Sequence, residues 1–335
     1  MKRISVLGAG SWGCALATVL ADNGYEVCVW SRNKDKAGQM NETRRLKTLP
    51  EVTFAQGIHF TSQLDEALAG DGSVVLAVPS IGTRGLARQI SSSIAEGRIL
   101  INVSKGIEES TGKLLTEQIS EEVPQAKVCV LSGPSHAEEV SRHMPTVCVV
   151  GSRDKQVAET VRDMFMNKFF RVYISSDVTG IEIGGALKNV IALAAGMADG
   201  LGYGDNAKAA LITRGIAEMC RLGMKMGGNI LTFAGLTGVG DLIVTCASMH
   251  SRNRRAGILI GQGMSMQAAM DEVQMVVEGV YSAKAAYALS QKYDVQMPIV
   301  AEVNQILFEG KEVKQAVVDL MARDKIQENP DDAWE

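Results

Sequence analysis

The chain has 335 residues, with 34 Lys and Arg against 38 Asp and Glu and a formal net charge of −4 at pH 7. That length suits two domains and a large core, and the mild acidity excludes bulk attraction to nucleic acid or an anionic membrane surface, so any positive field must be local. The first strand opens near residue 2, leaving no room for a signal peptide, and no apolar run reaches the roughly 18 residues of a membrane span, so a cytoplasmic protein without stable membrane insertion is expected.

Residues 4 to 13 read ISVLGAGSWG. A short apolar strand runs into Gly8, Gly10 and Gly13 in the GxGxxG spacing, then into an Ala- and Leu-rich helix. The first glycine allows the tight turn, the second lets backbone approach a pyrophosphate, and the third lets helix pack closely on strand. The helix N-terminus, with the amides of Ser11 and Trp12, then meets the anion. Alone the spacing is a weak signal. Here a second strand, EVCVW at 26 to 30, follows at βαβ distance and makes dinucleotide binding the better reading.

That second strand ends in Ser31 and Arg32, where a carboxylate would bond the ribose hydroxyls of NAD. A carboxylate would repel a 2′-phosphate, whereas a guanidinium can bond one with paired donors. NADP is therefore placed above NAD alone, with use of both left open.

Apolar, β-branched segments recur at 73–80, 99–106, 127–135, 146–152 and 168–175, with helical stretches near 62–70, 83–96 and 111–121. The alternation predicts a Rossmann-type, doubly wound α/β sheet, and the last two strands are close enough to add an antiparallel edge. From Ile181 onward helical periodicity dominates with no convincing strand. A boundary at 175–182 follows, dividing a dinucleotide-binding domain, 1–178, from an all-helical substrate and catalytic domain, 179–335. The tail ENPDDAWE, 328–335, reads as acidic and frayed. The six cysteines are scattered without CxxC and read as reduced core residues. His59, His136, His143 and His250 show no ligand spacing, so no metal site is expected, and His136 reads as a polar loop residue.

Strands in such sheets present their C-terminal ends to the ligand. Ser104, Lys105 and Gly106 follow one strand; Ser132, Gly133, Pro134 and Ser135 follow another. Lys105 is thereby a candidate on the nicotinamide side of the crevice. In the helical half, GIEIGGALKNVIALAAGMADG (180–200) carries small residues that permit close approach of another backbone, and Lys188 and Asn189 interrupt its apolar run. A lysine held among apolar groups near another cation has a lowered pKa, which suits proton transfer. Asp241 and Thr245, four apart on one helical face, can both point at Lys188. The run Ser251, Arg252, Asn253, Arg254, Arg255 is either a solvated basic face or a set of phosphate donors.

The chain resembles the bacterial-type NAD(P)-dependent glycerol-3-phosphate dehydrogenases over essentially its whole length. The resemblance is carried by GAGSWG, VSKG, LSGPSHAEE, GGALKN, TGVGDL and SRNRR, in that order. It implies reversible hydride transfer between NAD(P)H and dihydroxyacetone phosphate, giving sn-glycerol 3-phosphate for glycerophospholipid synthesis. It makes Lys188 the acid–base residue, puts Lys105 against both cofactor and substrate, and has Gly133 and Ser135 line the substrate site. Asp241, Ser251, Arg252 and Asn253 would hold the phosphorylated substrate, and Ser11, Trp12, Arg32, Ala137, Arg252, Val276 and Glu278 would meet the cofactor. A homodimer is expected. One position departs: where related sequences often carry a second basic residue after the first, this chain has Asn33. Two other readings compete. A β-hydroxyacid dehydrogenase of the same broad fold would not need the SRNRR cluster, and a dinucleotide-sensing module without catalysis would have no reason to keep Lys105, Lys188 and Asp241 together.

Overall fold

The computed structural model describes residues 3–324 and 328. Eight strands form one sheet: β1 (Arg3–Leu7), β2 (Glu26–Trp30), β3 (Ile58–Thr61), β4 (Val74–Leu76), β5 (Ile99–Asn102), β6 (Lys127–Ser132), β7 (Thr146–Gly151) and β8 (Phe170–Ser175). Their order is β3-β2-β1-β4-β5-β6-β7-β8, with the first six strands mutually parallel. The crossovers and their flanking turns carry helices α1 (Ser11–Asp22), α2 (Lys34–Thr43), α3 (Leu64–Leu68), α4 (Thr83–Ile90), α5 (Leu115–Glu122), α6 (Ala137–Val140) and α7 (Lys155–Phe165). Helices on both faces let the strands be apolar on both sides; Val27, Cys28 and Val29, for example, are all buried in succession.

The antiparallel edge exists, but proximity in sequence is not its cause. β7 runs antiparallel to β6, and β8 then pairs parallel to β7 through the crossover helix α7. β3, IHFT, had no counterpart among the strands read from sequence. It is a four-residue edge strand with one exposed histidine, too short to alternate convincingly. The helix expected over 111–121 begins only at Leu115, because an antiparallel bridge pairs Leu114 with Ile107.

Beyond Ser175 the described residues form helices: α8 (Val178–Gly200), α9 (Asp205–Lys225), α10 (Ile230–Phe233), α11 (Asp241–Ala247), α12 (Arg252–Gly261), α13 (Met266–Val273), α14 (Glu278–Lys292), α15 (Pro298–Phe308) and α16 (Val313–Met321). α8 is the axis around which the others assemble. A side chain on Gly196 would meet the Arg254 carbonyl at 2.2 Å, and one on Gly257 would meet the Leu193 carbonyl at 2.3 Å, so α8 and α12 cross in backbone contact. Gly279 brings α14 against the Asn189 carbonyl in the same way. Small residues here exchange side-chain burial for proximity, and they seat the Ser251–Arg255 run beside Lys188.

The expectation that no apolar run could span a membrane needs correction. By length and composition two stretches pass, Val178–Gly200 and Ile230–Ala247. The window that qualifies α8 is wholly enclosed by protein, and the second stretch is broken by a π-helical turn at Leu236–Gly240. Of the expected acidic tail, only Glu328 falls within the described residues, where it pairs with Arg214 at 2.8 Å.

Candidate active site

The fingerprint turn is built as its spacing requires. Gly8 has φ +132°, and a Cβ there would lie 2.4 Å from the Ala77 carbonyl oxygen; a Cβ on Gly13 would lie 2.0 Å from that of Gly8. At Gly10 the same position is open space. A bare backbone facing open space ahead of α1, whose first amides have no intrahelical partners, fits a pyrophosphate. Gly8 and Gly13 therefore lie beneath the site, while Gly10, Ser11 and Trp12 line a cleft of about 320 Å³ between the two domains. Trp12 is held by its indole N–H on the Val103 carbonyl at 3.1 Å, and the Ser11 hydroxyl meets that of Thr48 at 2.7 Å.

The cleft also takes Lys105, Ser135, Ala137, Lys188, Ser251, Arg252, Asn253, Val276 and Glu278 into its lining. Lys188 is 6% exposed. Its Nζ donates to Asp241 Oδ1 at 2.7 Å and to the Thr245 hydroxyl at 2.7 Å. Lys105, which arrives from the loop after β5, donates to the other Asp241 oxygen at 2.6 Å and to the Gly133 carbonyl at 2.9 Å. One buried carboxylate thus bridges two ammoniums. Burial alone would raise the Asp241 pKa, but the two lysines outweigh it and hold the carboxyl below its ordinary value. Burial lowers Lys188 to about 8; Asp241 opposes that drop and Lys105 reinforces it.

Asp241 and Gly133 do not face the cleft as side chains. Asp241 is 1% exposed and sits behind the two lysines. Gly133, at φ +145°, contributes a carbonyl that also accepts from the Ser135 hydroxyl at 2.9 Å.

Across the cleft, Ser251 caps α12 by accepting from the Arg254 amide at 3.2 Å, leaving the first-turn amides of Arg252 and Asn253 open. Arg252 is fastened to the Val276 carbonyl at 3.1 Å. Asn253 is a junction: its amide donates to Asn189 Oδ1 at 2.9 Å and its Oδ1 accepts from the Gly279 amide at 2.8 Å. The arginine run is not a uniform basic face. Arg254 turns away to pair with Asp199 at 2.8 Å and to donate to the Ala247 carbonyl at 2.7 Å, tying down the 247–251 loop. Glu278 is engaged by the Ser80 amide at 3.0 Å and by the Ser80 hydroxyl; burial raises its pKa.

Arg32 lies outside the cleft, exposed at the end of β2. His136 lines the cleft, and its buried Nε2 has no hydrogen-bond partner among the described residues; burial and then Lys188 lower its pKa. Sequence reasoning missed Thr48 and Lys36, whose Nζ donates to the Ala9 carbonyl at 2.7 Å. No motif marks them, because each acts through an element distant in sequence or one helical turn away.

A larger apolar groove of about 1190 Å³ lies between α9, α15 and α16. Its buried carboxylate, Glu218, accepts the Ile299 amide at 2.7 Å and the Val300 amide at 3.2 Å at the start of α15. The chemistry gathers in the smaller, polar cleft.

The family profile described as NAD-dependent glycerol-3-phosphate dehydrogenase N-terminus matches residues 3–158, and its C-terminus counterpart matches 177–318. The chain is 54% identical over 335 residues to a glycerol-3-phosphate dehydrogenase [NAD(P)+] of Agathobacter rectalis, covering 100% of both chains. It is 53% identical to the protein of that name from Bacillus subtilis, with 99% of this chain and 97% of that one covered. The crystal structure of glycerol-3-phosphate dehydrogenase from Coxiella burnetii superposes with a TM-score of 0.93 at 36% identity, covering 96% of this chain and 99% of the other.

Proposed function

The chain belongs to the NAD-dependent glycerol-3-phosphate dehydrogenase family, and from that premise we propose that it interconverts dihydroxyacetone phosphate and sn-glycerol 3-phosphate with Lys188 as the acid–base group and NADPH preferred over NADH. The observation that carries the reading is the buried Lys188 ammonium, held between Asp241 and Thr245 and facing the cleft.

A bound reduced nicotinamide supplies the hydride to the ketone carbon. Lys188, at about 8, is mostly ammonium at neutral pH yet releases a proton readily, so it protonates the oxygen on which charge develops. The resulting amine regains its proton from solvent, and in the oxidative direction it accepts one from the alcohol. Lys105 adds positive potential at the same oxygen, an effect enlarged by a water-poor cleft. Asp241 is a positioning residue here, since each of its oxygens is already engaged by a lysine. It aims both ammoniums and favours the charged form of Lys188.

The phosphate of the substrate is held by Arg252 and by the open amides at the start of α12, a pairing of guanidinium and helix N-terminus suited to a dianion. Asn253 fixes that helix end to α8 and α14. Binding energy from the remote phosphate then positions the ketone. Gly10, Ser11 and Trp12 receive the pyrophosphate on the turn that Gly8 and Gly13 make possible, and Arg32 receives the 2′-phosphate. A homodimer in the cytoplasm completes the proposal.

The test is loss of absorbance at the reduced-nicotinamide band when dihydroxyacetone phosphate is added, run in parallel with NADPH and NADH. Oxidation of NADPH at the higher kcat/KM supports the reading. No change with either cofactor, or equal rates with an unphosphorylated ketone, overturns it.

A further inference from the structure

The cofactor reading gives the 2′-phosphate Arg32 just after β2, with Asn33 where a second basic residue would be and Lys34 exposed at the first position of α2. The structure accounts for Asn33: its Oδ1 accepts from the Lys36 amide at 2.9 Å, making it the N-cap of α2. An N-cap of this kind fixes the first turn of the helix, and so fixes where Lys36 starts from. The Lys36 side chain then reaches back to the fingerprint turn, donating from Nζ to the Ala9 carbonyl at 2.7 Å. The Gly8 amide donates to the Trp30 carbonyl at 3.1 Å, so the fingerprint turn and the end of β2 are direct neighbours. The Lys36 ammonium lies at that junction, where a doubly wound fold places the adenosine ribose.

Three further facts point to an anion there. Lys36 is half-buried, and of its three donors the described residues engage one. Neither Lys36 nor Arg32 forms an ion pair among the described residues, although ion pairs are frequent elsewhere on the chain. The carboxylate of the same helical turn, Asp35, is exposed and caps nothing. We propose that Lys36 is a specificity-determining residue that completes the 2′-phosphate site with Arg32, supplying from the first turn of α2 the second positive charge that position 33 lacks. This rests on the NADPH preference argued above.

A different role is available to the same contact: Lys36 could clamp the fingerprint turn and touch no phosphate. The clamp would serve both cofactors equally, so the ratio separates the two. Dissociation constants for NADPH and NADH, read by nicotinamide fluorescence at fixed low ionic strength, are compared in wild type, Arg32→Ala, Lys36→Met and Lys36→Arg. Lys36→Met is expected to weaken NADPH about tenfold or more while NADH changes by less than about twofold, and Lys36→Arg is expected to keep most of the preference. Adenosine 2′,5′-bisphosphate, which has the phosphate without the nicotinamide, should show the Lys36→Met loss too. Equal weakening of both cofactors, or none, overturns the proposal. A wild type that binds NADH as tightly as NADPH overturns the NADPH reading itself. That result differs from a wild-type preference that Arg32→Ala reduces and Lys36→Met leaves intact, which removes Lys36 alone.

Discussion

The fingerprint turn and the Lys188 cluster do their work by opposite means. The turn occupies six consecutive residues, Gly8 to Gly13, and acts through backbone amides and the absence of side chains. The cluster acts through side-chain charges, and the three that carry it come from separate elements: Lys105 lies 136 residues from Asp241, and Lys188 lies 53 residues from it. A site of the first kind is damaged by adding atoms and a site of the second by removing them. The first is also written in local sequence, while the second exists only once β5, α8 and α11 have been brought together.

The largest effect that would sharpen this contrast is expected from Lys188→Ala. Removing the proton donor should lower kcat by roughly 10² to 10⁴-fold, while the dissociation constant for NADPH, governed by the other region, stays near that of wild type. Near-normal turnover would remove Lys188 from the acid–base role and break the comparison at its strongest point.

Next comes Arg252→Ala. A charged hydrogen bond is worth roughly 1.5–3 kcal/mol, so KM for dihydroxyacetone phosphate should rise about 10 to 150-fold. An unphosphorylated ketone should lose far less. Losses of the same size on both substrates would mean that Arg252, fastened to the Val276 carbonyl, only holds the 276–278 segment in place.

On the other side of the comparison, Gly13→Ala adds one methyl where the Gly8 carbonyl oxygen lies 2.0 Å from the new atom. Overpacking of this kind costs about 1–3 kcal/mol. The melting temperature should fall and cofactor affinity with it, while residual turnover keeps its wild-type pH profile because the lysines are untouched. A displaced pH profile would show that the two regions are not separable.

The same contrast explains what could be read from the sequence. Gly8, Gly10 and Gly13 announce themselves because spacing and strand–turn–helix context are contiguous. Small residues on α8 announced a close helix crossing, and α12 does cross there, at Gly196 and Gly257. Asp241 and Thr245 could be placed on one face of a helix by their spacing. That Asp241 also holds Lys105 could not be read, since it depends on the loop after β5 meeting α11 across the domain junction. The division of labour within the arginine run was equally hidden: at helical spacing Arg252 and Arg254 point in different directions, and only packing decides which one meets Asp199. β3 escaped because four residues with an exposed histidine carry too little periodicity.

The smallest predicted effect probes the interior of the cluster. The Thr245 hydroxyl accepts from Lys188 at 2.7 Å and donates to the Asp241 backbone carbonyl at 2.6 Å. It therefore stabilises the ammonium over the amine. Thr245→Val keeps the shape and removes that acceptor, a loss of roughly 0.5–1.5 kcal/mol. One pH unit corresponds to about 1.36 kcal/mol, so Lys188 should titrate roughly half a unit to one unit lower than its value of about 8. Reduction of the ketone requires the ammonium, so its rate falls as pH rises through the Lys188 pKa, and in the variant that descending limb should move to lower pH. Oxidation of the alcohol requires the amine, so its ascending limb should move the same way and the variant should gain on wild type near pH 7. Opposite changes in the two directions at one pH are what a proton-transfer role demands. A uniform loss in both would make Thr245 a packing residue of α11, and a limb displaced upward would contradict the sign of its bond to Lys188.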